Sequence, residues 1–147
     1  MRAATQALYE TDFAEWADHT AELLRARKFA EIDWESVIDE VEALGRSERA
    51  AVRSQLRRML VDLIKQRVPP ERDGASWQSS VASARMEIRN DIRDSPSLRR
   101  HLEDTLRVIY SDAVEEALVQ MNLQAADLPA DCPWTVDQLL DAEIGSL

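Results

Sequence analysis

Between Asp33 and Arg49 the chain reads DWESVIDEVEALGRSER, crowding Asp33, Glu35, Asp39, Glu40, Glu42 and Glu48 into one short stretch before arginines take over. Carboxylates at this density could hold a cation or perform acid/base work, provided that they converge in a dry pocket that controls their pKa. Only His19 and His101 are available as imidazole ligands or bases. His19 follows Glu15 by four residues, which puts both on one helix face. A metal, however, needs three or four convergent ligands, and the helical Glu-x-x-His spacing of di-iron bundles is absent. No metal and no cofactor is expected.

Nucleophilic chemistry fares no better. Cys132 stands before Pro133 with no histidine or lysine near it in sequence, so nothing lowers its pKa as a nucleophile requires, and it reads as a small loop hydrophobe. There is no Gly-x-Ser-x-Gly elbow and no glycine-rich phosphate loop, which three glycines in the whole chain could hardly build. No catalytic constellation emerges, and no enzyme is expected.

The arginines are the remaining chemical feature. Arg46, Arg49, Arg53 and Arg57 recur at helical spacing, and Arg85, Arg89 and Arg93 form a second stripe at four-residue intervals. Each could track phosphates. Nucleic-acid tracking, however, goes with a basic domain and, for single strands, with aromatic residues exposed between the charges. Here the net charge is -10. That average conceals a segregation: residues 1–45 hold four basic and eleven acidic side chains, 46–72 eight and three, and 110–147 none and eight.

The elements that must carry these residues are helices. With three glycines, five prolines and no alternating Val, Ile and Thr runs, the 147-residue chain lacks the pattern that strands need. Asp12 with Glu15 opens the first clear helix, bearing Phe13, Trp16, Ala17, Thr20, Leu23 and Leu24. Asp33 opens the second, with Ile32 and Val37 placed as a hydrophobic staple. On its wheel Trp34, Val37, Ile38, Val41 and Leu44 share one face, and Glu35, Asp39 and Glu42 point away from it. The carboxylates are therefore expected to face solvent and the apolar stripe to face the core.

Gly45 should end or kink that helix, with Ser47 capping the next. Val52, Leu56, Met59, Leu60, Leu63 and Ile64 then make the cleanest apolar stripe, stopped by Val68-Pro69-Pro70 and the loop Glu71 to Gly74. A fourth helix carries Trp77, Val81, Ala84, Ile88 and Ile92. Ser95 and Pro96 open a fifth, carrying Leu98, Leu102, Leu106, Ile109, Ala113, Leu118 and Met121. After a loop with Pro129 and Pro133, Thr135 and Gln138 form a capping box for a short acidic helix with Val136, Leu139 and Leu140. All four tryptophans, Trp16, Trp34, Trp77 and Trp134, fall on or beside apolar stripes and read as core anchors.

The expected fold is all-α: a single-domain antiparallel bundle of five to six helices over 1–147, with one core, a loose N-terminal segment at 1–10, and a loop plus short C-terminal helix at 123–147. If the helices on either side of Gly45 pack as a hairpin, Glu35, Asp39 and Glu42 come within reach of Arg49, Arg53 and Arg57. One cysteine excludes an internal disulfide and fits a reducing cytoplasm, and no apolar run approaches a membrane span.

DFAEW, EVEALGRSER, SPSL and CPWTVDQLLD, in that order and spacing, resemble the bacterial family called domain of unknown function 29. The resemblance spans nearly the whole chain and implies a small helical protein with no activity or catalytic residue to carry over. Where such proteins often place a histidine ahead of a Leu-Leu-Lys-like segment, this chain has Asp62, which argues against a histidine-based site there. Two functional classes remain. One is a protein-interaction module binding a protein partner or a second copy, without membrane association. The other, disfavoured by the charge, is a nucleic-acid-associated factor working through the arginine stripes.

Overall fold

The computed structural model describes residues 2–67, 74–122 and 127–147. Among them are six α-helices and no strand: α1 (Arg2–Thr11), α2 (Phe13–Arg25), α3 (Trp34–Arg67), α4 (Gly74–Asp94), α5 (Ser97–Met121) and α6 (Val136–Asp141). The all-α bundle follows the periodicity. The expected Val68-Pro69-Pro70 stop, the loop that follows it up to residue 73, and residues 123–126 after Asn122 lie outside the described residues. Where one core was expected, the chain divides into two compact units, Met1–Ser47 and Glu48–Leu147.

In the first unit the segment expected to be loose forms α1. Its stability comes from packing rather than propensity: the Tyr9 ring lies 4.9 Å from Trp16 and 6.0 Å from Phe13 on α2. Asp12 separates the two helices and caps α2, its carboxylate accepting from the Glu15 backbone N–H at 3.1 Å. At the other end of α2, Arg27 takes φ 56°, and Lys28 and Arg27 donate to the carbonyls of Leu23 and Leu24. That is a Schellman closure made without glycine, at a cost of about 1 kcal/mol for the left-handed backbone. Trp16, Leu23 and Ile32 form the apolar interior. Asp33 caps α3 through the Ser36 backbone N–H and hydroxyl.

Gly45 neither ends nor kinks a helix, since α3 runs unbroken through it for 34 residues. A glycine inside a helix costs about 1 kcal/mol relative to alanine. Breaking the helix there would orphan four C=O groups at one new end and four N–H groups at the other, which costs more. Ser47 therefore caps nothing.

In the second unit the stripe from Val52 to Ile64 packs as expected, with Val52, Leu56, Met59 and Leu60 fully buried against Val81, Ala84 and Ile88 of α4 and Leu102 and Ile109 of α5. Asp62, half-buried, accepts from the Ser80 hydroxyl at 2.6 Å and so ties α3 to α4. Ser95, expected to cap α5, instead donates its hydroxyl to Glu48 at 2.9 Å. The capping box of α6 forms as expected, with Gln138 N–H donating to the Thr135 hydroxyl at 3.2 Å and Thr135 N–H to the Gln138 side chain at 2.9 Å. Trp134 is buried beneath the Arg67 guanidinium, 4.7 Å above its ring.

Candidate interaction surface

Glu35, Asp39 and Glu42 are exposed, as the wheel predicts. They do not meet Arg49, Arg53 and Arg57. The hairpin about Gly45 that would have paired them is not formed, because α3 continues through Gly45. The acid-to-arginine contact that does form is local, Glu42 to Arg46 at 3.6 Å, one turn apart.

The arginine stripes are largely committed elsewhere. Arg53 Nη1 lies 2.9 Å from His101 Nε2. Because guanidinium stays protonated, Nε2 is the acceptor and the imidazole is neutral. Burial, together with the charges of Arg53 and Arg49, lowers the His101 pKa and favours that state. Arg57 Nε reaches Glu116 at 3.4 Å. Arg85 is buried and donates Nε to the Leu139 carbonyl at 2.9 Å, while Arg89 donates to the Leu140 carbonyl and approaches Asp141 at 3.4 Å. These carbonyls belong to the last turn of α6, where no intrahelical donor is available. Thus α4 uses its arginines to hold α6. Arg49 and Arg93 are exposed. Between α3 and α5 a groove of about 360 Å³ is lined by Arg53, Arg57, Val108, Ile109 and Asp112, so an acid already stands among its basic groups.

Cys132 packs half-buried against the core, and burial raises its pKa, leaving a protonated thiol that is a poor nucleophile. Among the described residues no group of three His, Cys, Asp or Glu side chains is arranged to hold a metal ion, and no helix is long and apolar enough to cross a membrane.

The feature that departs furthest from expectation is the apolar stripe at the start of α3. Trp34, Ile38, Val41 and Leu44 are 41%, 54%, 62% and 69% exposed, where a core face was expected. Phe29, half exposed, extends the patch: its ring is 6.2 Å from Trp34, whose indole N–H donates to the Phe29 carbonyl at 3.0 Å. What the first unit covers is another sector of α3. Ser36 is buried, Glu40 and Ala43 are half-buried, and Tyr9 of α1 donates its hydroxyl to Glu40 at 2.6 Å. That bond, with Glu40's charge, pushes the Tyr9 pKa up to about 12. At 100° per residue, Trp34, Ile38 and Val41 share a sector with Val52, Leu56 and Met59, which the second unit buries completely. The same helix face is covered in its later turns and bare in its first three.

The sequence carried one signal of this. A buried stripe needs an opposing stripe, and the clear amphipathic run of α2 has its Trp16 and Leu23 committed to an interior with Ile32. No curated protein and no solved structure matches this chain. The family model described as "Domain of unknown function DUF29" matches residues 8–144, which takes in the cap of α2, all of α3 with its bare stripe, and the clamp that α4 places on α6. With nearly its whole length matched, the chain belongs to the DUF29 family.

Proposed function

We propose that this protein is a helical interaction module without catalytic activity of its own, and that its docking surface is the face formed by Trp34, Ile38, Val41 and Leu44. One observation carries the reading: four large apolar side chains at helix-face spacing stand in water on a helix whose later turns bury the same sector. Contiguous exposed apolar patches of this kind mark interaction sites, and helix recognition through i, i+4 and i+7 anchors is a recurrent mode. The test is photo-crosslinking in the native host, with a benzophenone amino acid replacing Val41 in one strain and Arg100, far exposed on α5, in another. A discrete protein adduct at position 41 and none at position 100 is expected. Equal adduct patterns at the two positions, or none at 41, would overturn the reading.

The alternative, a nucleic-acid factor using the arginine stripes, has against it that Arg53, Arg57, Arg85 and Arg89 already have partners within the fold and that the chain carries -10 overall. Labelled duplex DNA and single-stranded RNA are expected to show no anisotropy change from about 50 to 200 mM salt. Micromolar binding with a log-log salt slope steeper than about -3 would promote this alternative, since each phosphate contact contributes about -0.9.

A further inference from the structure

The bare face has a definite electrostatic setting. The unit Met1–Ser47 holds eleven acidic and five basic side chains. Glu42 and Glu35 border the stripe on one side of α3, about 95° and 115° from its centre, Asp39 lies at about 155°, near the opposite face, and all three are exposed. The stripe itself runs from residue 34 to residue 44, about 15 Å along the axis. That length matches three turns of a facing helix. An apolar seam with a charged margin selects partners by the charge they bring against that margin, as flanking positions do in coiled coils.

We infer that the occupant of this face is an amphipathic helix of at least three turns whose apolar stripe is bordered by lysine or arginine. This rests on the interaction-module reading and adds the chemistry of the partner to it. A second copy docking through the same face is disfavoured because it would bring two strongly acidic units, and the acids bordering each stripe, against one another. A basic margin on the partner would instead meet Glu35 and Glu42 on that side while its apolar residues cover Ile38, Val41 and Leu44.

The experiment uses three fluorescein-labelled synthetic peptides of about four turns. The first is a leucine/lysine helix with leucines at i, i+3, i+4 and i+7. The second has the same composition in shuffled order, and the third keeps the pattern with glutamate replacing lysine. The full-length protein is expected to bind the first at least about tenfold more tightly than either of the others. The double variant Val41→Glu, Leu44→Glu should lose that binding although it adds two negative charges, which separates docking from plain attraction to an acidic protein. The triple variant Glu35→Gln, Asp39→Gln, Glu42→Gln should weaken it with the melting temperature within a few degrees of the parent, since surface changes usually stay within about 0.5 kcal/mol.

Equal binding of the shuffled peptide, or tighter binding by the Val41→Glu, Leu44→Glu protein, would overturn the inference. So would preference for the glutamate peptide. Failure here is distinguishable from failure of the broader reading. If position 41 crosslinks in cells to a second copy of the chain and sedimentation shows a dimer that Val41→Glu dissociates, the face is a docking surface but not for a basic helix. If neither peptide binding nor any adduct at position 41 occurs, both fall.

Discussion

Leu60→Ala is expected to lower the unfolding free energy by about 2 to 5 kcal/mol, the range for emptying a packed leucine site. Leu60 is fully buried on the stripe of α3 that faces α4 and α5, in a cluster with Leu56, Leu63 and Ile64, each 2% exposed or less. The loss has two parts, the transfer free energy of the deleted methyl groups and the cavity that rigid neighbours cannot close. Leu44→Ala supplies the internal comparison. It removes the same atoms from the same helix, but from a side chain 69% exposed, so its effect should stay within about 0.5 kcal/mol. Urea unfolding followed by circular dichroism and tryptophan fluorescence measures both. If Leu60→Ala cost less than about 1 kcal/mol, this face would have to lie at the surface and not in a core.

Arg85→Ala should loosen α6, which keeps Val136, Leu139 and Leu140 in the core and the Arg99 pairing with Asp137. The Arg85 side chain is among the few charged groups buried here, and its Nε donates to the Leu139 carbonyl, which α6 itself leaves without a donor. Burial, and the nearby Arg89 charge, lower the Arg85 pKa, yet guanidinium remains protonated in proteins, so the bond is charge-assisted at every working pH. Removing it leaves a carbonyl unpaired and a void where the aliphatic stem lay, a loss of about 1.5 to 3 kcal/mol. The readout is hydrogen exchange of residues 136–141, whose protection should fall well before that of α3 and α5. Arg85→Lys should rescue little, because lysine carries a methylene where the arginine Nε–H meets the Leu139 carbonyl. Arg89→Ala should do less, its side chain being 48% exposed. Unchanged protection of 136–141 in Arg85→Ala would refute the clamp.

Much of this fold was legible in the sequence where the information is local. The caps at Asp12, Asp33 and Thr135 each need only a side-chain oxygen that accepts from the backbone N–H three residues on, and the stripe from Val52 to Ile64 only strict periodicity, so both were readable. Three things were not. Gly45 reads as a break because propensity is visible in sequence and the helix continuing on both sides of it is not. MRAATQALYE reads as loose because its order depends on Tyr9 meeting Phe13 and Trp16. The Arg85 and Arg89 contacts were hidden because their partners are backbone carbonyls 54 and 51 residues away, and a carbonyl has no residue type to recognise. The bare face at the start of α3 was misassigned for a related reason. Periodicity reports that a helix has an apolar side, and only tertiary structure reports whether anything faces it. The stripe at Trp34 to Leu44 and the stripe at Val52 to Met59 have the same pattern and opposite fates.

The unbroken run of α3 through both compact units has a kinetic meaning. Starting a helix is the costly step, with a nucleation constant of about 10⁻³, equivalent to roughly 4 kcal/mol, whereas each added residue costs almost nothing. The turns from Val52 to Ile64 are pinned by the core and supply that nucleus. The first turns of α3, which hold Trp34, Ile38, Val41 and Leu44, are secured separately, by the Asp33 cap and the Tyr9–Glu40 bond on another sector of the helix. The bare face is thus kept helical by contacts made at its back and its beginning, and its own side chains stay exposed while the backbone that carries them is ordered.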